Sequence, residues 1–197
     1  PFFGVTHSGA AQALQNESER FDSARAVIAE FERHDVKELM LTRHPAVNDL
    51  LDGCCIKDIH LVSPYPHFFN RLVASGGYLA IAKYFLPAIF SRQLISCLGS
   101  LLCLKPYRAA FRILISSELK SLGDHALKVR SICLHNIFTD MALAAQNKAL
   151  IDGFIDTCNA HGLQAVVITQ NLPALLELLD RDDFVACASI NRLGYMT

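Results

Sequence analysis

The stretch over 129–140, VRSICLHNIFTD, sets His135, Asn136 and Asp140 directly after the apolar run Ile132, Cys133, Leu134. Such a run, ending abruptly in polar residues, reads as a buried strand whose C-terminal end delivers side chains to a site. A carboxylate near an imidazole fixes its tautomer and raises its basicity, the usual arrangement for a general base. His135 and Asp140 are therefore the candidate catalytic pair, and Asn136 a candidate substrate ligand. The plainer alternative makes Asp140, or Thr139 beside it, the cap of a helix that starts there.

Other apolar runs end in the same way. His7 and Ser8 follow the run over 2–6, and with Gly9 form a turn whose backbone amides could hold a phosphate or carboxylate; a plain turn is the competing reading. Arg43 and His44 follow the run over 38–41. A guanidinium there binds an anion through its planar fork, with an imidazole alongside for proton transfer, unless Arg43 pairs on the surface with Asp49 or Asp52. His67 follows the run over 56–62, Gln170 and Asn171 follow 165–169, and Asn191 follows 184–190. Amides at strand ends orient hydroxyl and carbonyl groups without adding charge, although Asn is also at ease in turn geometry.

Several chemistries lack their residues. The chain has no G-x-G-x-x-G and no G-x-x-x-x-G-K-[ST], so neither a dinucleotide site nor a P-loop is expected, and the cofactor is left unknown. There is no G-x-S-x-G elbow for a serine hydrolase. Eight histidines keep a divalent metal in view, with His7, His44, His67 and His135 facing one mouth. However, no H-x-H or H-E-x-x-H occurs and no acidic residue ends a clear strand, so no metal ligand is assigned. Lys57 opens a strand and Lys128 precedes one, which puts both at the face opposite the candidate site.

Positioning these residues requires strands alternating with helices. Asn16 and Glu19 form a capping box for a helix whose apolar face is Phe21, Ala24, Val27, Ile28 and Phe31, ending near His34-Asp35. A short helix over 47–51 ends at Gly53. A helix is expected over roughly 140–160, closed by Gly162, and another over 173–179, opened by Pro173. The middle, around 68–104, reads as mainly helical and apolar, with 94–104 and 111–116 suited to either strand or buried helix.

Alternation of this kind implies a parallel sheet covered by helices in a single α/β domain over 1–197. The preferred architecture is a compact or truncated (β/α) barrel of TIM type, because there all the polar strand ends converge on one mouth. A doubly wound open sheet is the alternative. At the level of element alternation the chain resembles the aldolase barrels, without the lysine that Schiff-base members need.

The expected function is accordingly a lyase or isomerase acting on a small oxygenated or anionic metabolite. A metal-dependent hydrolase and a non-catalytic subunit docking through its apolar middle are the rivals. With 52% hydrophobic residues, 19% charged residues and a net charge of −1, the chain is neither disordered nor drawn to nucleic acid. Its seven cysteines include no C-x-x-C and suit a reducing cytoplasm. No basic-then-apolar leader opens the chain, and its ends lie so near strands that a longer protein is expected around it. The apolar stretch over 78–104 is interrupted by Lys83, Pro87 and Arg92, so no membrane span is expected. Burial of that stretch in the core or between identical subunits is expected instead.

Overall fold

The structure, a computed structural model, describes residues 22, 24–43, 47–64 and 106–188. The runs expected at 2–6, 68–90 and 94–104 lie outside the described residues, as does the interface expected over 78–104. Among the described residues five strands form one sheet: β1 (Glu38–Thr42), β2 (Asp58–Val62), β3 (Val129–Leu134), β4 (Gln164–Thr169) and β5 (Val185–Ala188). All four pairings are parallel. The order across the sheet, β1-β2-β3-β4-β5, is also the order along the chain. Among the described residues the sheet is open, with β1 and β5 as its edges, and its strand order nowhere reverses.

The helices are α1 (24–33), α2 (Val47–Leu51), α3 (Pro106–Ser121), α4 (Asn136–Ala144), α5 (Lys148–Ala160) and α6 (Leu172–Leu178). They share one core with one face of the sheet. Ile59, Leu61, Ile132, Leu134, Ala165 and Val167 pack there with Leu51, Ile115, Phe154, Ile155 and Leu175 from four of the helices. Phe111 of α3 meets Phe154 of α5 edge-on, with ring centroids 5.3 Å apart. Burial of one such side chain contributes about 1.5–3 kcal/mol. On the other face Val62, Cys133 and Val166 form a second, smaller cluster, joined by Ile168 and Cys187 and, among the described residues, by none from a helix. Successive side chains of a strand point to opposite faces, so this face also carries Met40 and His60.

A bulge lets β3 serve both faces. Ile59 pairs with Val129 and His60 with Ser131, which leaves Arg130 as the extra residue. Arg130 is exposed, and its Nε donates to Asp58 Oδ1 at 2.5 Å. The irregularity explains why Val129 and Ile132 reach the same core despite their odd separation.

Two helix boundaries differ from expectation, and a third is left open by the sequence. The segment over 111–116, suited by sequence to strand or helix, is helical inside α3, which Pro106 starts; a proline at the first helical position gives up an amide that has no partner anyway. The single helix expected over 140–160 is two. Gln146 takes a positive φ of 52° between them, and Asn147 caps α5 by accepting from the Leu150 amide. The first of the two, α4, starts at Asn136, with His135 as its cap, so neither Asp140 nor Thr139 fills that place.

Candidate functional site

Because the strands are parallel, their C-terminal ends share one edge of the sheet. That edge carries Arg43 after β1, Ser63 after β2, His135 and Asn136 after β3, and Gln170 and Asn171 after β4. The other residues singled out from the sequence, His7, Ser8, His44, His67 and Asn191, lie outside the described residues.

At the ends of β1 and β2 the chemistry centres on a buried ion pair. Arg43 Nη1 lies 3.6 Å from Glu118 Oε2, with side chains 21% and 3% exposed respectively. The Ser63 hydroxyl donates to Glu118 Oε1 at 3.5 Å. Burial pushes the Glu118 carboxyl above the ordinary carboxylate range, and the opposing pull of Arg43 and Ser63 is smaller. Burial likewise lowers the Arg43 guanidinium from its usual value, against the attraction of Glu118. Desolvation thus outweighs attraction on both partners, as expected where two charges leave water for imperfect geometry. Among the described residues Arg43 thus meets Glu118 across the fold, a partner other than the Asp49 or Asp52 that the sequence suggested.

Glu118 was missed in the sequence although it left a signal. Phe111, Leu114, Ile115, Glu118 and Leu122 follow helical spacing, and all five are buried. A carboxylate on an otherwise apolar stripe marks a buried charge, but the stripe is readable only once the segment is known to be helical.

At the ends of β3 and β4 the geometry is different. His135 Nδ1 accepts from the Ile137 amide at 3.2 Å. An accepting Nδ1 carries no proton, so the neutral ring holds its hydrogen on Nε2 and presents a donor there. Asp140 Oδ1 accepts from the Thr169 hydroxyl at 2.6 Å and from the Gln170 amide at 3.3 Å. Thr169 Oγ1 in turn accepts from the Asn171 amide at 2.9 Å. Asn171 Oδ1 accepts from the Ala174 amide at 3.2 Å, which caps α6. Asp140 thereby fixes the loop that presents the exposed Gln170 and Asn171.

A further group sits on the face with the smaller apolar cluster. His60 Nδ1 and Ser131 Oγ are 2.8 Å apart, and His60 Nε2 lies 3.5 Å from Glu38 Oε2. His60 borders an open concavity of about 530 Å³ shared with Met40, Gln164, Val166, Val185 and Cys187. The order of residue types resembles a nucleophile with its base, but Ser131 is completely buried. Burial also pushes the neighbouring Cys133 thiol up to about 11, which leaves it protonated at neutral pH. Neither side chain is placed for attack on a substrate.

Among the described residues no three of His, Cys, Asp and Glu group as metal ligands. Among them too, no helix is long and apolar enough to cross a membrane. No known family, curated protein or solved structure matches this chain.

Proposed function

We propose that this chain is a cytoplasmic enzyme that handles a small oxygenated anion, a lyase or isomerase in reaction type, on an arc of a (β/α) barrel. The single observation that carries the reading is the unreversed, all-parallel strand order, which gathers Arg43, His135 and Gln170 on one edge. In a sheet of this kind substrates bind outside the carboxyl ends of the strands. Among the described residues the helices pack on one face and a second apolar cluster lies on the other, as outside and inside a barrel wall.

In this reading the Arg43 fork binds the carboxylate or phosphate of the substrate. His135, whose Nδ1 is occupied by the Ile137 amide, donates from Nε2 to a carbonyl oxygen and polarises it. Asn136, Gln170 and Asn171 orient hydroxyl groups, and Asp140 holds their loop. A carbonyl polarised next to a bound anion favours loss of a proton or cleavage of a bond at the adjacent carbon, the step common to lyases and isomerases of oxygenated acids.

The test is a thermal-shift and calorimetric survey of 2-oxo acids, hydroxy acids and sugar phosphates. A binder raises the melting temperature with its concentration, and the rise disappears in Arg43→Met. A survey in which no oxyanion stabilises the protein, or in which Arg43→Met responds as the wild type does, overturns the reading.

A further inference from the structure

We infer that β5 is a detachable wall of the molecule. Residues 180–188 leave β4 and α5 together while the other strands stay folded, and the charges gathered around Arg181 are the latch that sets how often this happens.

The side chains of β5 give it little hold. In β3 five of six residues are buried and in β4 four of six; in β5 none is, and Val185 keeps 41% of its surface exposed. At the other edge of the sheet β1 sends Leu39 and Leu41 against the main core. From β5 only Cys187 meets a core cluster among the described residues, and that cluster is the smaller one. Among the described residues, too, β5 pairs with β4 alone. An element with so little apolar burial opens locally at a lower cost than the core strands do.

Charge supplies the hold that apolar contact does not. Arg181 donates from Nε and Nη2 to the two oxygens of Asp183, at 2.6 Å each. It also donates from Nη1 to Asp152 at 3.1 Å and from Nη2 to Asp156 at 3.0 Å. Asp183 accepts a further bond from Asn159 at 2.6 Å. Asp152, Asp156 and Asn159 all belong to α5, so the loop before β5 is fastened to that helix at two points. Lys148 and Arg108 meet Asp152 and Asp156 as well, and the three cations balance the three carboxylates. Exposed ion pairs contribute little, but a forked Arg–carboxylate contact within a network is the exception, and the Arg181 side chain is only 18% exposed. Leu179 is buried in the main core and bounds the unit; Phe184, partly buried against that core, is an apolar contact that parts when the unit opens.

Opening of this unit changes a surface that ligands can reach. β5 forms one side of the concavity of about 530 Å³ that Met40, His60 and Val166 border. With β5 detached that space widens, and the backbone edge of β4 is uncovered. Access beside His60 is thereby governed from α5, on the opposite face of the sheet.

Amide hydrogen exchange, measured where it reports the opening equilibrium, is the test. In the wild type the amides shared by β4 and β5 are expected to exchange at least about tenfold faster than those shared by β2 and β3. Equal protection would mean that β5 opens only with the whole sheet, and would overturn the proposal. Ile59→Val weakens the core at a fully buried residue that stays packed when β5 leaves. It should speed exchange between β2 and β3 and leave that between β4 and β5 unchanged; a matching rise at β5 also overturns the proposal. Arg181→Gln breaks the latch in the folded protein, so the β4–β5 amides should exchange roughly 10–100-fold faster, the range for losing one hydrogen bond to a charged group. No rise at β5, whether or not the core strands lose protection, means that the latch does not part with β5 and overturns the proposal. If Arg181→Gln does not fold, Asn159→Ala removes only the second fastening and is read in the same way, with a smaller rise expected.

Discussion

Asp140 and Thr169 are joined by a 2.6 Å hydrogen bond in which the buried threonine hydroxyl donates to the carboxylate. The bond ties α4 to the end of β4 and gives Asp140 a bracing role beside the candidate site. Asp140→Ala is expected to cost about 1.5–3 kcal/mol, the range for a hydrogen bond to a charged group. Asp140→Asn keeps an oxygen acceptor and is expected to cost less. Urea denaturation of the two variants measures the difference; equal losses would contradict the brace.

His135 is both the cap of α4 and a candidate catalytic group, and the two roles separate by substitution. Asn is among the best helix caps, so His135→Asn should leave stability within about 0.5 kcal/mol of the wild type, whereas His135→Ala should lose about 0.5–2 kcal/mol. Once a substrate is identified, both should lose about 10²–10⁴ of the rate. Full activity in a folded His135→Asn would leave the residue as a cap alone.

Gly153 is inside α5, where a glycine ordinarily weakens a helix by about 0.5–1 kcal/mol relative to alanine. A Cβ added there would meet Tyr107 Cβ at 2.8 Å and the Arg108 amide nitrogen at 3.3 Å. The close crossing of α3 over α5 is therefore expected to reverse the usual benefit. Gly153→Ala should destabilise the protein by about 1–3 kcal/mol, the scale of overpacking, and a rise in its melting temperature would refute the argument.

Arg181 holds three carboxylates at once. Its guanidinium reaches Asp152 at 3.1 Å, Asp156 at 3.0 Å and Asp183 at 2.6 Å. The hydrogen bonds from Arg181 hold the Asp183 carboxyl below the ordinary range. A lowered folded-state value means that this contribution is present above the unfolded-state value and fades as pH falls through the folded-state one. Glu118 has the opposite sign. With its folded-state value raised, its contribution is present below the unfolded-state value and fades as pH rises through the folded-state one. Arg181→Gln should thus lower stability at neutral pH and weaken the dependence of stability on acid. An unchanged acid limb in denaturation curves measured against pH would count against the network.

The cysteines give a further test. Burial pushes Cys158 up to about 12, as it pushes Cys133 to about 11. Cys54 and Cys55 are half-buried. Iodoacetamide on the native protein should label Cys54 and Cys55 well before Cys133 and Cys158, as mass spectrometry of timed samples would show.

The sheet was the most legible part of the chain, because β3 and β4 are apolar runs bounded by polar residues. Their neighbours β1 and β2 were placed within two residues for the same reason. Helix starts were harder. The cap of α4 is a histidine, which propensity does not favour at that position, so Asp140 drew the assignment. The break at Gln146 was hidden because apolar spacing continues through it. Of the candidate site, Arg43, His135, Gln170 and Asn171 lie just after strands, as their places in the sequence suggest. Glu118 could not, because its contact with Arg43 spans much of the chain and rests on a helix whose apolar run also suits a strand.

The order of the strands has a consequence for how the chain assembles. Each strand pairs with its neighbour in sequence, so the sheet can grow by addition at one edge. The β3–β4 and β4–β5 pairs close over short connections, each holding little more than its crossover helices. The β2–β3 pair must close the longest connection of the four. Loop-closure entropy grows with length and contacts distant in sequence slow folding. The seam between β2 and β3 is thus expected to be where the two halves of the sheet meet last. It is also the seam that the bulge at Arg130 and the hydrogen bond between His60 and Ser131 hold in register.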